Sequence, residues 1–480
     1  MTLQRPIARA ALAAAALAVL APAGLAMLAA LAALAGCATG AIDGNIAAAH
    51  AEVRTRTGID FAWLSTDAAR AQARDDVAKT LQAPLSEDDA VRIALSHSPA
   101  LQVLLFERAA ASADATQSAR LPNPVFAFER LASGGAPDQI ELTRALTLPL
   151  LDILLLPARA RQADAAQQRL RLQSTADVLR AADDARVAWV AAVAAGQSAR
   201  YAAQVRDAAE AAAELSRRME AAGNFSALQR AREEAFAADA LAGFAQAQRT
   251  QRGTREALVR ALGLDAGQAA TLALPDHLPD LPATLPDASA TLQSALDERL
   301  DLRLARARLA ELARAQGLTR VTGTVDGLAL GAERRDQTGL PREHGLTLSV
   351  PLPLFDDGDA ARAGATARYD AALARSAALA VAAASQLRIA DGDLRDSHAL
   401  ALQFRDRLVP LQATIVGENL LRYNGMLASV FDLLADAHEQ ARTVQLAIAA
   451  QRDFWLADAA LKAATLGIPN STIDDATEAP

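Results

Sequence analysis

Residues able to do chemistry are few in this 480-residue chain, and their spacing gives them little to do together. His50, His97, His277, His344, His398 and His438 are scattered. None stands three or four positions from another, so no helical pair of metal ligands forms. Asp183-Asp184 and Glu233-Glu234 are adjacent carboxylates, but both fall in long helical runs. Solvated helix faces explain them better than acid–base work. No glycine-rich phosphate loop or nucleophile elbow is present. Beyond residue 37 the only methionines are Met219 and Met426, too few for a relay of soft metal ions. The reading is a protein that is not an enzyme and holds no cofactor or metal.

One thiol remains. Cys37 is the only cysteine, so it has no internal disulfide partner. It follows a segment that reads as an export signal over residues 1–36. Arg5 and Arg9 supply the positive start, Ala10 to Ala35 is uncharged and apolar, and Leu34-Ala35-Gly36 precedes the cysteine. The apolar stretch is also long enough to span a bilayer as an uncleaved anchor, which is the competing reading. The motif resembles the lipobox of bacterial lipoproteins. That resemblance implies acylation of Cys37, and Ala38 behind it implies delivery to the outer membrane.

The rest of the chain must position whatever function exists. Hydrophobic residues make up 52% but aromatics only 4%, so the apolar share is mainly alanine and leucine. That composition favours long, closely packed helices. With a net charge of −8 and no basic face, nucleic acid is excluded as a partner. Residues 37–84 read as a polar, alanine-rich extension or linker that contains Trp63. A first repeat follows over 85–265. Ser86 with Asp89 opens a helix, Ser98-Pro99 restarts it, and strands are expected within about 123–150 (Val125 to Arg130 and Gln139 to Leu148). A helical hairpin occupies about 158–262, turning at Ala222-Gly223-Asn224. Its outgoing arm of about 65 residues would be roughly 98 Å long. Trp189 and Trp455 are expected between helices. Residues 266–290 carry Pro275, Pro279, Pro282 and Pro286 and read as a connector without helix or sheet. The second repeat covers 291–468, with strands about 320–354 and a hairpin about 358–466 that turns at Asn424-Gly425. Pro410 is expected to kink its outgoing arm. Residues 469–480 read as a disordered acidic tail.

The repeats align at three landmarks. Pro149 and Pro353 differ by 204, Gly223 and Gly425 by 202, and Leu95 and Leu296 by 201. Two strands per repeat give four per chain, and four cannot close a membrane barrel. An open edge in lipid is too costly, so strands in a membrane require several chains.

This duplicated plan, the run Pro353-Leu354-Phe355-Asp356-Asp357-Gly358 entering a long helix, and the second hairpin tip together resemble the TolC-type outer-membrane factors over roughly Leu85 to Gly467. The lipobox resembles the lipidated branch of that family. The resemblance implies a mainly α fold with a small membrane β part. Three chains would share a trimeric α-barrel and a twelve-stranded β-barrel. It implies a passive efflux duct in the outer membrane, reaching into the periplasm. The expected partners are a periplasmic adaptor protein, an inner-membrane pump of the resistance–nodulation–division type and outer-membrane lipid. At the tip, Tyr423 and Asp432 match the family's gate. Its second aspartate falls on Ala435, with Asp436 adjacent, and its arginine falls on Ala428. Leu228 stands opposite Asp432 in the first repeat. Three copies of Asp432 around a pore would favour cations. The plainer reading makes Asp432 a solvated residue suited to a helix dipole. A periplasmic helical lipoprotein scaffold without a pore is the alternative function, motivated by the shortness of Val125 to Arg130.

Overall fold

The computed structural model describes residues 37–134, 139–285, 296, 298–323 and 327–468. The expected signal segment 1–36 and acidic tail 469–480 lie outside the described residues, as do Pro286 and Ala295. The chain divides into two compact units.

The first unit holds a four-stranded antiparallel sheet in the order β1-β2-β3-β4. Its strands are β1 (Val125–Ser133), β2 (Gln139–Pro149), β3 (Ala329–Gln337) and β4 (Glu343–Ser349). All four differ from the alternation read in sequence, β1 and β2 by running longer and β3 and β4 by being displaced. Arg320, expected to begin a strand, belongs instead to the helix Leu300–Thr322. Pairing runs from Val125↔Thr147 through Pro149↔Ala329 to Ala329↔Ser349. Strands β2 and β3, one from each repeat, form the centre. Among the described residues, the outer edges of β1 and β4 have no strand beside them.

Residues 37–84, expected as an extension or linker, are largely helical. They form α1 (Cys37–Thr57) and α2 (Asp67–Thr80). In the first unit, Asn45 Nδ2 donates to Ser112 Oγ at 2.9 Å, and Arg171 Nε donates to Asn45 Oδ1 at 2.5 Å. A buried amide satisfied this way ties α1 to α4 (Pro99–Ser118) and to the outgoing arm of the first hairpin. In the second unit, Trp63 packs on Phe106 with ring centroids 4.5 Å apart.

The second unit contains the return arms and the outgoing arms from Leu172 and Ala372 onward; the first parts of both outgoing arms belong to the first unit. The first outgoing arm, α5 (Leu150–Ala221), runs for 72 residues and carries Pro157 inside it. The sequence reading began this helix at Ala158 because proline normally ends one. Here Leu150 to Leu156 is already helical, directly continuous with β2. The return arm α6 (Ala227–Leu262) is opened by Ser226 in a reciprocal capping box with Gln229. The buried cluster of this unit joins α3 (Glu87–His97) to both arms through Leu85, Ile93, Trp189, Leu258 and Leu262. Trp189 Nε1 donates to Leu85 O at 2.8 Å, so its one donor is satisfied.

The proline-rich connector is strapped down, and a short helix α7 (Ala266–Thr271) precedes its prolines. Leu278 is fully buried. Pro279 O accepts from Trp455 Nε1 at 3.0 Å and from Gln451 Nε2 at 2.8 Å. The expectation of no helix across 266–290 fails at its start. The prolines begin only at Pro275, and residues 266–271 are free of them.

The second repeat continues with α8 (Leu300–Thr322), α9 (Asp359–Gln403), a π turn (Phe404–Leu408), α10 (Val409–Asn424) and α11 (Val430–Leu466). The π turn ends two residues before Pro410. Proline brings no N–H and crowds the carbonyl four residues earlier, and a widened turn accommodates both. A kink was expected at Pro410, and the structure places a π turn just before it. Arg299, 1% exposed, binds Asp301 Oδ2 at 2.6 Å and Ala464 O at 2.8 Å, locking α8 to the end of α11. Among the described residues, no helix is long and apolar enough to cross a membrane.

Candidate functional site at the hairpin tips

The two tips are built alike. At the first, Gly223 N donates to Glu220 O, and Asn224 N donates to Met219 O. At the second, Met426 N donates to Tyr423 O, and Leu427 N donates to Arg422 O. Each pair of bonds closes a helix C-terminus through a residue with positive φ, +72° at Gly223 and +60° at Met426. The structural partner of Gly223 is therefore Met426, at a separation of 203. Gly425 has φ −84° and does not need to be glycine on conformational grounds. The same separation pairs Ser226 with Ser429 and Gln229 with Asp432. This corrects the placing of Leu228 opposite Asp432.

Asp432 sits third in α11, and its carboxylate is occupied. Its Oδ2 accepts from Ser429 N at 3.0 Å and from Ser429 Oγ at 2.8 Å, while Ser429 Oγ accepts from Asp432 N at 3.2 Å. The hydrogen bond from the Ser429 hydroxyl is the main cause holding this exposed carboxyl below its ordinary range. The Ser429 amide adds to that, and nearby Arg422 contributes last. Arg422 thus supplies a cation that position 428, an alanine, does not. Within a single chain this is the behaviour of a helix-start residue. Asp436 lies one turn on and accepts from Asn419 Nδ2, linking α11 to α10. Tyr423 is exposed on the last turn of α10, and Met426 is 94% exposed. Tyr423, Asp432 and Asp436 therefore cluster at one tip, with Gly223 on the other.

Close to the tips the two hairpins touch, at residues the sequence reading did not single out. Phe225 and Phe431 pack with centroids 4.4 Å apart. Phe236 and His438 stack at 3.4 Å and 20°. Glu233 Oε2 lies 3.7 Å from His438 Nε2. Burial raises the Glu233 carboxyl and lowers the His438 imidazole, each toward its neutral form. Asp183, further along α5, is pushed up to about 6 by burial, partly offset by Arg186. The expectation of solvated faces at Asp183-Asp184 and Glu233-Glu234 thus fails for Asp183 and Glu233. Each has a carboxylate oxygen cut off from solvent with no hydrogen-bond partner. The only sequence signal was the phase of each residue on its helix.

The strand exit into α9 is a turn of carboxylates. Asp356 Oδ1 accepts from Gly358 N at 2.8 Å, and Asp359 Oδ1 accepts from Ala360 N at 2.6 Å. Gly358 has φ +78°, and a Cβ there would stand 1.9 Å from Gly323 O. Glycine is required at this crossing of chain segments.

A sheet of two strands per repeat together with two long helical hairpins is the fold of the outer-membrane channels, the TolC-type architecture the sequence resembles. Among solved structures, the outer membrane protein VceC of Vibrio cholerae superposes with a TM-score of 0.65 at 20% identity, over 80% of this chain and 97% of that one. The Campylobacter jejuni CmeC outer membrane channel gives 0.66 at 14% identity, over 82% and 88%. The outer-membrane channel OprN gives 0.64 at 19% identity, over 85% and 94%. No family model matches the sequence, and no curated protein matches it. The likeness lies in the fold.

Proposed function

We propose that the chain is one subunit of a homotrimeric outer-membrane efflux channel, a passive duct whose energy comes from elsewhere. The observation that carries the reading is the sheet. Among the described residues it has four strands, two unpaired edges and an apolar band on one face, and its exposed Phe126, Leu346 and Leu348 have no use in water. A membrane closes such a sheet only as part of a larger barrel, and three copies supply twelve strands. Strands of 9, 11 and 9 residues suit a tilted bilayer span, with β4 shorter at 7, and this supports the channel over a scaffold without a pore. In this reading Cys37 carries the lipid anchor. The tips carrying Tyr423, Asp432, Asp436 and Gly223 meet a periplasmic adaptor and its resistance–nodulation–division pump. Three Asp432 carboxylates then ring the pore.

Planar-bilayer recording with the purified full chain, alongside native mass spectrometry, tests the proposal. Discrete conductance steps and a trimer mass are expected. A monomer or dimer that never conducts at any voltage would sink it.

A further inference from the structure

The register sorts the side chains of the sheet by face, because ladder partners share a face. One row joins Phe126, Leu146, Ala332 and Leu346. The next row toward the two turns joins Phe128, Arg144, Arg334 and His344. Beyond it stand Arg130, Leu142 and Asp336. Arg342, just ahead of β4, reaches the same place, with its Nε 3.3 Å from Asp336 Oδ1. This face therefore carries four arginines against one aspartate, a formal +3. The opposite face carries Glu129, Glu141, Glu333 and Glu343 against Arg335, a formal −3. The charges are segregated by face.

Asp336 receives Arg144 Nη1 at 2.7 Å and Arg334 Nε at 3.2 Å besides Arg342. One carboxylate cannot neutralise three guanidinium groups. Arg144 and Arg334 are also direct ladder partners, an arrangement that is destabilising unless an anion bridges it. Arg144 and Arg334 stand in the middle row of this face, and Arg130 and Arg342 lie beyond them toward the two turns, away from the helices. Exposed apolar side chains fill the rows below them. A cation facing lipid is tolerated only near the membrane interface. Guanidinium pairs bind phosphate through two parallel hydrogen bonds.

We propose that this arginine cluster binds the phosphate groups of an anionic glycolipid headgroup in the outer leaflet, with the acyl chains lying along Phe126, Phe128 and Leu346. The adjacency of the charged rows to the apolar band selects an amphiphile over a soluble anion. The proposal rests on the channel reading, which places the helices in the periplasm and the sheet turns outermost.

The test measures binding of diphosphorylated lipid A, and of its dephosphorylated form, to the detergent-purified full chain by native mass spectrometry. Conductance is recorded on the same preparations. Dephosphorylation is expected to weaken binding at least tenfold, as are Arg334→Gln and, at the turn, Arg342→Gln, while both variants still conduct. Glu141→Gln on the opposite face should bind as the parent does. Equal binding of both lipids, or parental binding by both arginine variants, overturns the proposal. So does weakening by Glu141→Gln as large as that by the arginine variants. Displacement of the lipid by an equal concentration of inorganic pyrophosphate overturns the choice of a lipid. A chain that discriminates phosphate but never conducts refutes the channel reading and leaves the headgroup site standing.

Discussion

Two carboxylates separate local from collective roles at the level of single residues. Asp432 caps its own helix, so removing its side chain changes both a cap and a charge. Asp432→Asn keeps an acceptor for the Ser429 amide and deletes only the charge. If three such charges ring a pore, both Asp432→Asn and Asp432→Ala lower cation selectivity in single-channel recording. Only the alanine variant also loses the reciprocal hydrogen bonds of the capping box with Ser429. Selectivity unchanged in the asparagine variant would leave Asp432 a cap and nothing more. Asp183 offers a pH test. Its folded carboxyl is raised to about 6 by burial, above its ordinary value of 3.8. Its contribution to stability is therefore fully present below about pH 4 and is lost as pH rises through about 6. Thermal denaturation should show Asp183→Asn gaining over the parent by about 1–2 kcal/mol at pH 8, after allowance for solvent screening. That gain should shrink at pH 4, and a gain independent of pH would refute the assignment. Neither role could be read from spelling. Asp183-Asp184 and Glu233-Glu234 look like solvated pairs because a linear pattern of acids does not say which face meets a second hairpin.

Among the elements, the turns were more legible than the segments between them. Ser86, Gly223 and the run ending at Gly358 announce their roles through capping and left-handed backbone chemistry, which depend on a few neighbouring residues. Gly358→Ala should fail twice, through its positive φ and through collision with Gly323 O. A loss of at least about 3 kcal/mol by thermal unfolding is expected. Gly345→Ala, where a new Cβ meets nothing within 4 Å, serves as the tolerated control. The second tip hid its geometry because Met426 occupies a left-handed position usually taken by glycine. Met426→Gly relieves about 1 kcal/mol of backbone strain and returns part of it as chain entropy. Slower hydrogen exchange at the α10–α11 turn is the expected outcome, and faster exchange would reverse the conclusion. Residues 37–84 misled for another reason. The tertiary bonds of Asn45 and the packing of Trp63 on Phe106 hold helices whose own amphipathicity is weak. Pro157 misled because continuity with β2 overrides a local breaker.

For the molecule as a whole, the duplicated plan was visible in three landmarks, and the corrected tip separation of 203 stays within their range of 201 to 204. The sheet was half visible. The pairing of β2 with β3 joins residues nearly two hundred positions apart, and no local pattern encodes that partner. Its open edges also bear on how the protein comes into being. A strand edge left unsatisfied is a template for any passing strand. If three chains close one barrel, as proposed above, each must meet two sisters before it meets anything else, and biogenesis becomes a race between orderly closure and stray pairing. Folding of the sheet is then inseparable from the number of copies present. In dilute detergent its melting temperature should climb with protomer concentration, as for any obligate assembly. A melting temperature indifferent to dilution across two decades would mean that each chain shields its own edges. Anything that lowers the supply of this subunit would then cost more than its share of channels, because every unassembled copy is a hazard to the rest.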